Sequence, residues 1–578
     1  MPGIAGFTSN SQRISDNVLL DKMCNSICNF DYHDSDKKNI SNLYNGIVAF
    51  EFDKDFRQYE NDDLYICIYG DVIVDKSIGV SARKTLFKNI IGNFPNISFF
   101  KDIDGLFNVL VYDKDKDDIY IIIDRNGLSH LYYGVIGNQL YWSSELRSFL
   151  LIDKKLTLNK DSIHSYLVLG YLLQDETWFN EIRLQSPSTY LKWNSKRNEL
   201  TMQKYWYCRD SLGNTNRADY KTIVTDLIDL FKDAVSKRYT EHERVGITLS
   251  GGLDSRAIFA AVNNRRNLPV VTRGQKKCQD IRIAKKVVAQ KRSVNHMVVD
   301  MNKDNWLDGR IEAVKITTGQ KNLIHMNALS SLPLHKKLFD INLDGAGGDG
   351  ILRGKHIIQS RNGKIRQYLS KYIYDNYIFS EEVLDRLVSY YNKINSPECF
   401  YIQQRVRRFI IFGSILGHDH GIMSRFPFLD HAVQDYLVRL PPTIDRNALY
   451  SKMLKEAFPE YFNHKISFDL KSEINNIKLI RKIRNRVAYL SGNGILSIQS
   501  HNNNYHDYNN WLRTGPGLKL IQNVIINNKE SALKYFISHT YMKEKFDQQL
   551  RGAKNAECIS RFLTLELTLQ NVKNQIDM

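Results

Sequence analysis

Two hydrophobic rhythms divide the chain. Up to about residue 195, short apolar runs alternate with polar turns: Leu64 to Tyr69, Gly105 to Tyr112, Asp118 to Asp124 and Gln139 to Ser143. Runs of this length bounded by turn residues predict β-strands. Ile119 to Ile123 is almost unbroken in its apolar character, so at least one sheet is expected to be covered on both faces. Helical spacing appears near Leu19 to Ile27 and Lys160 to Leu169. Lys192 to Thr215 is polar and broken, and reads as a linker.

From about residue 220 the rhythm changes. A helical pattern from Tyr220 to Tyr239 leads into a strand at Arg244 to Leu249, a Gly-Gly turn and a helix through Ala260. A strand at Pro269 to Arg273, a helix near Ile281 to Gln290 and a strand at Asn295 to Asp300 follow. This alternation predicts a parallel sheet covered by helices. Beyond Glu381 the pattern is mostly helical, with a polar helical extension expected from about residue 465 and loops at Asn502-Asn503-Asn504 and Asn509-Asn510. The expected organisation is two domains, residues 1–195 and 215–578, one α+β and one α/β.

Composition narrows the class. With 43% hydrophobic and 25% charged residues, a disordered, collagen-like or coiled-coil chain is excluded. The net charge of +17 is compatible with nucleic acid, an acidic glycan or an anionic surface, although a Lys-rich bias explains it without any partner. The basic run Lys478, Arg481, Lys482, Arg484, Arg486 has no RNA-binding motif beside it and reads as a solvated helix face. Seven cysteines, an odd and scattered set without C-x-x-C, predict neither a disulfide framework nor a zinc site and fit a reducing cytoplasm. His418-Asp419-His420 lacks a third ligand at zinc spacing. The opening Met-Pro-Gly-Ile-Ala-Gly-Phe is not a signal peptide, and no apolar run approaches the ~18 residues of a membrane span. A cytoplasmic protein without membrane partners is the expectation.

The chemistry concentrates in Leu249-Ser250-Gly251-Gly252-Leu253-Asp254-Ser255, between a strand and a helix. Adjacent glycines let the backbone turn so that successive N–H groups face one concavity, and the following helix presents its positive end there. Ser250 and Ser255 add hydroxyls, and Asp254 is suited to hold magnesium against phosphate oxygens. The pattern is a pyrophosphate cradle that differs from both the Walker A loop and GxGxxG.

These residues resemble the SGGxDS signature of the PP-loop ATP pyrophosphatases, which cleave ATP between the α- and β-phosphates and leave an adenylated substrate. Asp344-Gly345-Ala346-Gly347-Gly348-Asp349 and Arg425-Phe426-Pro427-Phe428-Leu429-Asp430 follow in order. Together they resemble the synthetase domain of the asparagine synthetase family, which includes β-lactam synthetases and lasso-peptide cyclases. Upstream, Asp104-Gly105-Leu106-Phe107, Asp124-Arg125-Asn126-Gly127, Leu131-Tyr132-Tyr133-Gly134 and Ser143-Ser144-Glu145-Leu146 resemble four landmarks of its class II glutamine amidotransferase domain. The resemblance covers residues 1 to about 460. It implies an N-terminal Ntn-hydrolase-like αββα sandwich and a C-terminal PP-loop, adenine nucleotide α-hydrolase-like parallel sheet with a helical extension.

Departures from the family pattern are specific. Glutamine-dependent members begin, once mature, with Cys-Gly-Ile; here Pro2 precedes Gly3-Ile4-Ala5-Gly6. Proline offers no nucleophile. The glutamine-binding Asn-Gly-Glu segment is Tyr69-Gly70-Asp71, and an Arg-Leu-Ser segment has no counterpart near Ile47. The domain is therefore expected to keep the fold without the glutaminase chemistry. In the second domain, Ala346 and Gly350 stand where the family commonly has acids. The family lysine, in K-x-x-L-R-x-x-F, falls on Ser451 counting back from Phe458, with Lys452 next to it and Lys455 at the arginine position. Arg256 is a further candidate for phosphate or an acidic substrate.

The resemblance implies ATP on Leu249, Ser250, Gly251, Gly252, Asp254, Ser255, Arg273, Asp344 and Gly345, and Mg2+ on Asp254 and Asp349. It also implies catalytic roles for Asp254 and for Lys452 or Lys455. The implied reaction is ATP-dependent, AMP-forming amide synthesis joining a carboxylate (aspartate, an acidic sugar or a peptide side chain) to ammonia or an amine. Two other classes remain in view: a PP-loop RNA-modifying enzyme, and a non-catalytic ATP-binding relative.

Overall fold

The computed structural model describes residues 2–9, 14–28, 31–208, 219–263, 267–354, 365–373, 377–394, 396–441, 443–462 and 505–577. The first region is built on two antiparallel sheets. One has six strands in the order Arg183–Leu184, Tyr132–Ile136, Gln139–Ser143, Gly3–Thr8, Leu43–Phe50, His33–Ile40. The other runs Glu199–Lys204, Thr189–Asn194, Asp118–Ile123, Asp104–Asp113, Leu64–Val74, Gln58–Glu60, with Ser77–Ile78 also paired to Leu64–Val74.

Side-chain alternation assembles these sheets into four layers. Tyr65 and Cys67 enter a core between the sheets with Ile4, Ile47, Leu110 and Trp142. Their neighbours Ile66 and Ile68 face the other way, against Leu86 and Ile90 of the helix Val80–Asn93. Phe7 and Tyr44 likewise turn outward to Met23 and Ile27 of the helix Ile14–Ile27. The unbroken apolar run Leu64 to Tyr69 is thus buried on both faces. The result is an αββα sandwich. The stretch read as a linker begins inside it, because Thr189–Asn194 and Glu199–Lys204 pair as the outer two strands of the second sheet. The outermost, Glu199–Lys204, has the polarity of a sheet edge facing solvent, while Leu191 and Trp193 of its neighbour are buried.

The second region carries a five-stranded parallel sheet in the order Val294–Asp300, Leu268–Gly274, Val245–Thr248, Ile341–Leu343, Met423–Arg425. The chain enters at the centre, winds to one edge, then returns to the other side of the centre. Val245–Thr248 and Ile341–Leu343 therefore flank the switch point, where open α/β sheets form a ligand crevice beyond their carboxyl ends. Both glycine-rich segments leave from these two strands.

The C-terminal part corrects the expectation of a polar extension. The helix Ala556–Val572 is buried along most of its length, with Ile559, Phe562, Leu563 and Leu565 each at most 1% exposed. Arg561 from it caps the carbonyls of Leu167 and Val168 in the first region. Asn509 and Asn510 lie on a short helix, Tyr508–Trp511. Asn502 to Asn504 and the basic run at 478–486 lie outside the described residues. A second correction concerns the cysteines: Cys208 and Cys399 form a disulfide across Cα atoms 6.4 Å apart, joining the end of the first region to the helical part of the second. Their separation of 191 residues gives no local spacing from which to read the pairing. Among the described residues, no helix is long and apolar enough to cross a membrane.

Candidate active site

The loop from Ser250 to Ser255 folds onto itself. Ser250 N–H donates to Ser255 Oγ at 3.0 Å, and the two serine hydroxyls are 2.9 Å apart. Gly251 N–H donates to Asp280 Oδ1 at 2.9 Å and Gly252 N–H to Ser250 Oγ at 3.1 Å. The N–H groups expected to face an open concavity are thus already held by side chains, which fixes the turn. Leu249, 1% exposed, anchors the strand end. Gly252 caps the helix Leu253–Ala261, placing Asp254 in its first turn.

The second glycine segment closes over Asp254. A Cβ on Gly348 would sit 2.6 Å from the Asp254 carboxyl carbon, and one on Gly345 would meet Ser255 N at 3.0 Å. Glycine is required here by contact. The Asp349 N–H donates to the Asp254 carboxylate, and Tyr450 Oη donates to Asp254 Oδ1 at 2.9 Å. Burial pushes Asp254 up to about 6 and the nearby Asp349 charge adds to the rise, while Tyr450 and Arg353 act against it. Asp349, its side chain 43% exposed, pairs with Arg353 Nη1 at 2.6 Å, so a positive charge already stands beside the two carboxylates. Asp344 is turned back, its Oδ1 accepting from Ala346 N–H at 2.8 Å. Arg273 lies within the field of Asp344, with Nη1 3.4 Å from Ser331 Oγ.

Gly350 has a local explanation. A Cβ there would lie 2.0 Å from the Tyr401 ring, so the aromatic side chain fills the space a carboxylate would need. Arg256 bends back, donating from Nη2 to Gly251 O at 3.1 Å, and stays inside the loop.

The helix Arg446–Ala457 presents Asn447, Tyr450 and Ser451 on one face, at spacings of three and four. Lys452 emerges from another side. Its Nζ lies 5.0 Å above the Tyr220 ring and 3.7 Å from Glu456, so the structure does not bring it to Asp254. Lys455 is exposed in the last turn, five residues and so ~7.5 Å further along the axis than Tyr450. We expect Lys452→Ala to leave catalytic turnover within about twofold of the parent, as for a surface ion pair; a large loss would return this lysine to the site. Tyr450, Tyr401 and Arg353 had no sequence signal of their own, although Arg353 stands four residues after Asp349, the spacing of a helical ion pair.

The third segment joins the two regions. Arg425 Nε is 2.6 Å from Asp71 Oδ2, and its Nη atoms are 2.6 and 2.8 Å from Glu243. Asp430 caps the helix His431–Val438 and pairs with Arg238 at 2.6 Å, which pairs in turn with Asp104 at 2.6 Å. Asp71 is thereby engaged by the second region. Next to it, a small, mostly apolar cavity of about 20 Å3 lies between the regions, lined by Phe50, Tyr69, Leu106, His130, Ile415 and His418 among others. At the chain's start, Pro2 is buried and Ile4 N–H donates to Ser144 Oγ at 3.0 Å.

Residues 96–206 match the glutamine amidotransferase domain family and residues 226–398 the asparagine synthase family. Glutamine-hydrolysing asparagine synthetases of Pongo abelii and Homo sapiens are each 27% identical over 297 residues. That of Gallus gallus is 27% identical over 270 residues. The first two alignments cover 47% of this chain and 47% of each relative, so the chain spans about half the length of the curated relatives it matches. Among solved structures, glutamine phosphoribosylpyrophosphate amidotransferase from B. subtilis, complexed with ADP and GMP, aligns with a TM-score of 0.24 and 10% identity over 51% of this chain and 81% of that one. A structure described as the allosteric regulatory enzyme of purine biosynthesis aligns with a TM-score of 0.24 and 11% identity, covering 51% and 80%. With its two matched segments in this order, and with asparagine synthetases as the relatives named above, the chain resembles the asparagine synthase family.

Proposed function

We propose that the protein is an ATP-dependent amide ligase that forms AMP and pyrophosphate through an acyl-adenylate and does not hydrolyse glutamine. The observation that carries this reading is the convergence of Asp254 and Asp349 at the sheet's switch point, beside the Ser250 to Ser255 turn. In the first step a substrate carboxylate oxygen bonds to the α-phosphorus of ATP, and the bond to the β-phosphate oxygen breaks. The electron pair leaves with pyrophosphate. In the second step an amine or ammonia nitrogen bonds to the acyl carbon, AMP departs, and the nitrogen gives up a proton.

The chain's own residues prepare the first step. The loop N–H groups of Ser250, Gly251 and Gly252 exchange their side-chain acceptors for phosphate oxygens, aided by the helix end at Leu253. Tyr450 holds the Asp254 carboxylate in one orientation. Magnesium fits this donor set, because it takes one or two protein carboxylates and completes its shell with phosphates and water. Asp254 and Asp349 would hold it, and it would neutralise the leaving pyrophosphate. Aspartate, an acidic sugar and a peptide side chain are the carboxylates to try, in a cytoplasmic setting without membrane or nucleic-acid partners. The test is substrate-dependent ATP–pyrophosphate exchange across such a panel. Exchange with one of them supports the reading. Silence across the panel, with ATP still bound, favours the non-catalytic relative, and salt-dependent RNA binding favours the RNA-modifying class.

The missing glutaminase has its own check. Pro2 supplies no nucleophile, and Asp71 is committed to Arg425. We expect purified protein to release no ammonia from glutamine; release that disappears on changing Tyr69 or Gly70 would overturn this.

A further inference from the structure

We infer that Arg353 supplies the cation of the adenylation site, replacing the lysine that the family carries where this chain has Ser451. The inference rests on the ligase reading above. Ser451 carries no charge, Lys452 is turned to Tyr220 and Glu456, and Lys455 lies further along the helix.

Arg353 comes from the other wall. Asp349 lies in the short helix Gly348–Ile351, and the turn that follows returns residue 353 to the side of Asp349. Its Nη1 donates to Asp349 Oδ1 at 2.6 Å, and its Nε donates to Asn447 Oδ1 at 3.3 Å. Asn447 shares a helix face with Tyr450 and Ser451, and Tyr450 from that face holds Asp254. The guanidinium therefore bridges the Asp349 segment to the helix stripe from which a lysine at 451 would project, one turn away. Its charge also acts on Asp254. Both carboxylates and this cation occupy one place.

The chemistry suits arginine. Adenylation transfers no proton to or from the cation: the carboxylate oxygen–phosphorus bond forms, the phosphorus–oxygen bond to pyrophosphate breaks, and negative charge accumulates on the leaving group. A guanidinium remains charged throughout and presents paired N–H groups to phosphate oxygens. As pyrophosphate forms, Arg353 exchanges Asp349 for those oxygens. Asn447 continues to hold Nε as it does here, at 3.3 Å.

The experiment uses full-length protein, with magnesium pyrophosphate as the probe in calorimetry and ATP–pyrophosphate exchange as the second readout. Arg353→Met is expected to weaken magnesium pyrophosphate binding by about tenfold or more. It should also lower the exchange kcat by about 10²-fold with little change in KM for ATP, the range seen when a preorganised charge donor is lost. Arg353→Lys should retain part of both. Ser451→Lys, placed in the Arg353→Met background, should recover about tenfold in exchange, because it restores a cation without restoring the Asp349 pairing. Unchanged pyrophosphate binding in Arg353→Met overturns the inference. A loss that Ser451→Lys does not recover also overturns it, reducing Arg353 to a partner that positions Asp349. If the parent protein exchanges no carboxylate at all, the ligase reading fails, while the pyrophosphate comparison still decides whether Arg353 meets phosphate.

Discussion

Asp254→Asn is expected to lower adenylation by on the order of 10²-fold or more, by analogy with metal-site losses of that scale, while the protein stays folded. The substitution keeps the shape of the side chain. Asparagine still accepts from Tyr450 Oη through its carbonyl oxygen, the contact made here at 2.9 Å, and still fits beneath Gly348. What disappears is the negative charge that shares the site with Asp349. Stability argues in the same direction. Burial and Asp349 raise the folded pKa of Asp254 to about 6, above the ordinary 3.8. A group with a raised folded pKa loses stability as pH climbs from the unfolded value through the folded one. At pH 7 the ionised carboxylate is therefore a cost that asparagine removes, and the melting temperature of the variant should equal or exceed that of the parent. Exchange kinetics and a thermal melt on one preparation separate the two effects. Parental exchange rates would remove Asp254 from the chemistry, and a large drop in melting temperature would recast it as a structural residue.

Sequence pattern made the doubly buried strands legible, because Leu64 to Tyr69 and Ile119 to Ile123 are apolar at every position a packed layer touches. It did not reveal the strands Gly3–Thr8 and His33–Ile40. The first is built partly of glycines whose missing side chains admit Ser144 and Trp142: a Cβ on Gly3 would lie 2.0 Å from Ser144 Oγ. The second, His-Asp-Ser-Asp-Lys-Lys-Asn-Ile, is an edge strand held by its ladder to Leu43–Phe50, and nearly all of its side chains are at least partly exposed. A polar edge has no apolar alternation to read. The same distinction applies at the site. Ser250 to Ser255 and Asp344 to Asp349 are contiguous motifs, so spacing alone found them. The contacts of Tyr450 with Asp254 and of Tyr401 with Gly350 join segments distant in the chain. Which face of the helix Arg446–Ala457 turns inward is decided by packing of Leu449, Tyr450 and Met453, and a one-residue difference in that rotation separates Ser451 from Lys452.

Arg425→Met should be the most destabilising of these substitutions, with a loss of about 3–5 kcal/mol at pH 7, the scale for removing one partner of a buried ion pair. Arg425 is 3% exposed, Asp71 is 7% exposed, and the two meet at 2.6 Å. Methionine fills much of the volume but leaves the Asp71 carboxylate buried beside Leu106 without its cation, while Glu243 on the other side keeps some access to water. Burial already raises Asp71 above the usual carboxylate value, and the Arg425 charge is the chief influence opposing that rise. Removing the charge lifts the folded pKa further. The sign then follows: ionised Asp71 destabilises the variant more as pH rises through that pKa, so the deficit is largest at pH 7 and shrinks toward pH 5 as the carboxyl takes up a proton. Combining Asp71→Asn with Arg425→Met removes the stranded buried charge and should recover part of the loss, since the uncompensated carboxylate is its main source, while Glu243 still loses its partner. Chemical denaturation of the parent, both single variants and the double variant at the two pH values measures all of this. Full stability in Arg425→Met at pH 7, or a deficit that grows toward acid, would show that the Asp71–Arg425 pair does not hold the αββα region to the parallel sheet. The expected pattern would give Asp71 a structural role at the junction of the two regions, because its partner Arg425 ends the strand from which Pro427 to Asp430 continue.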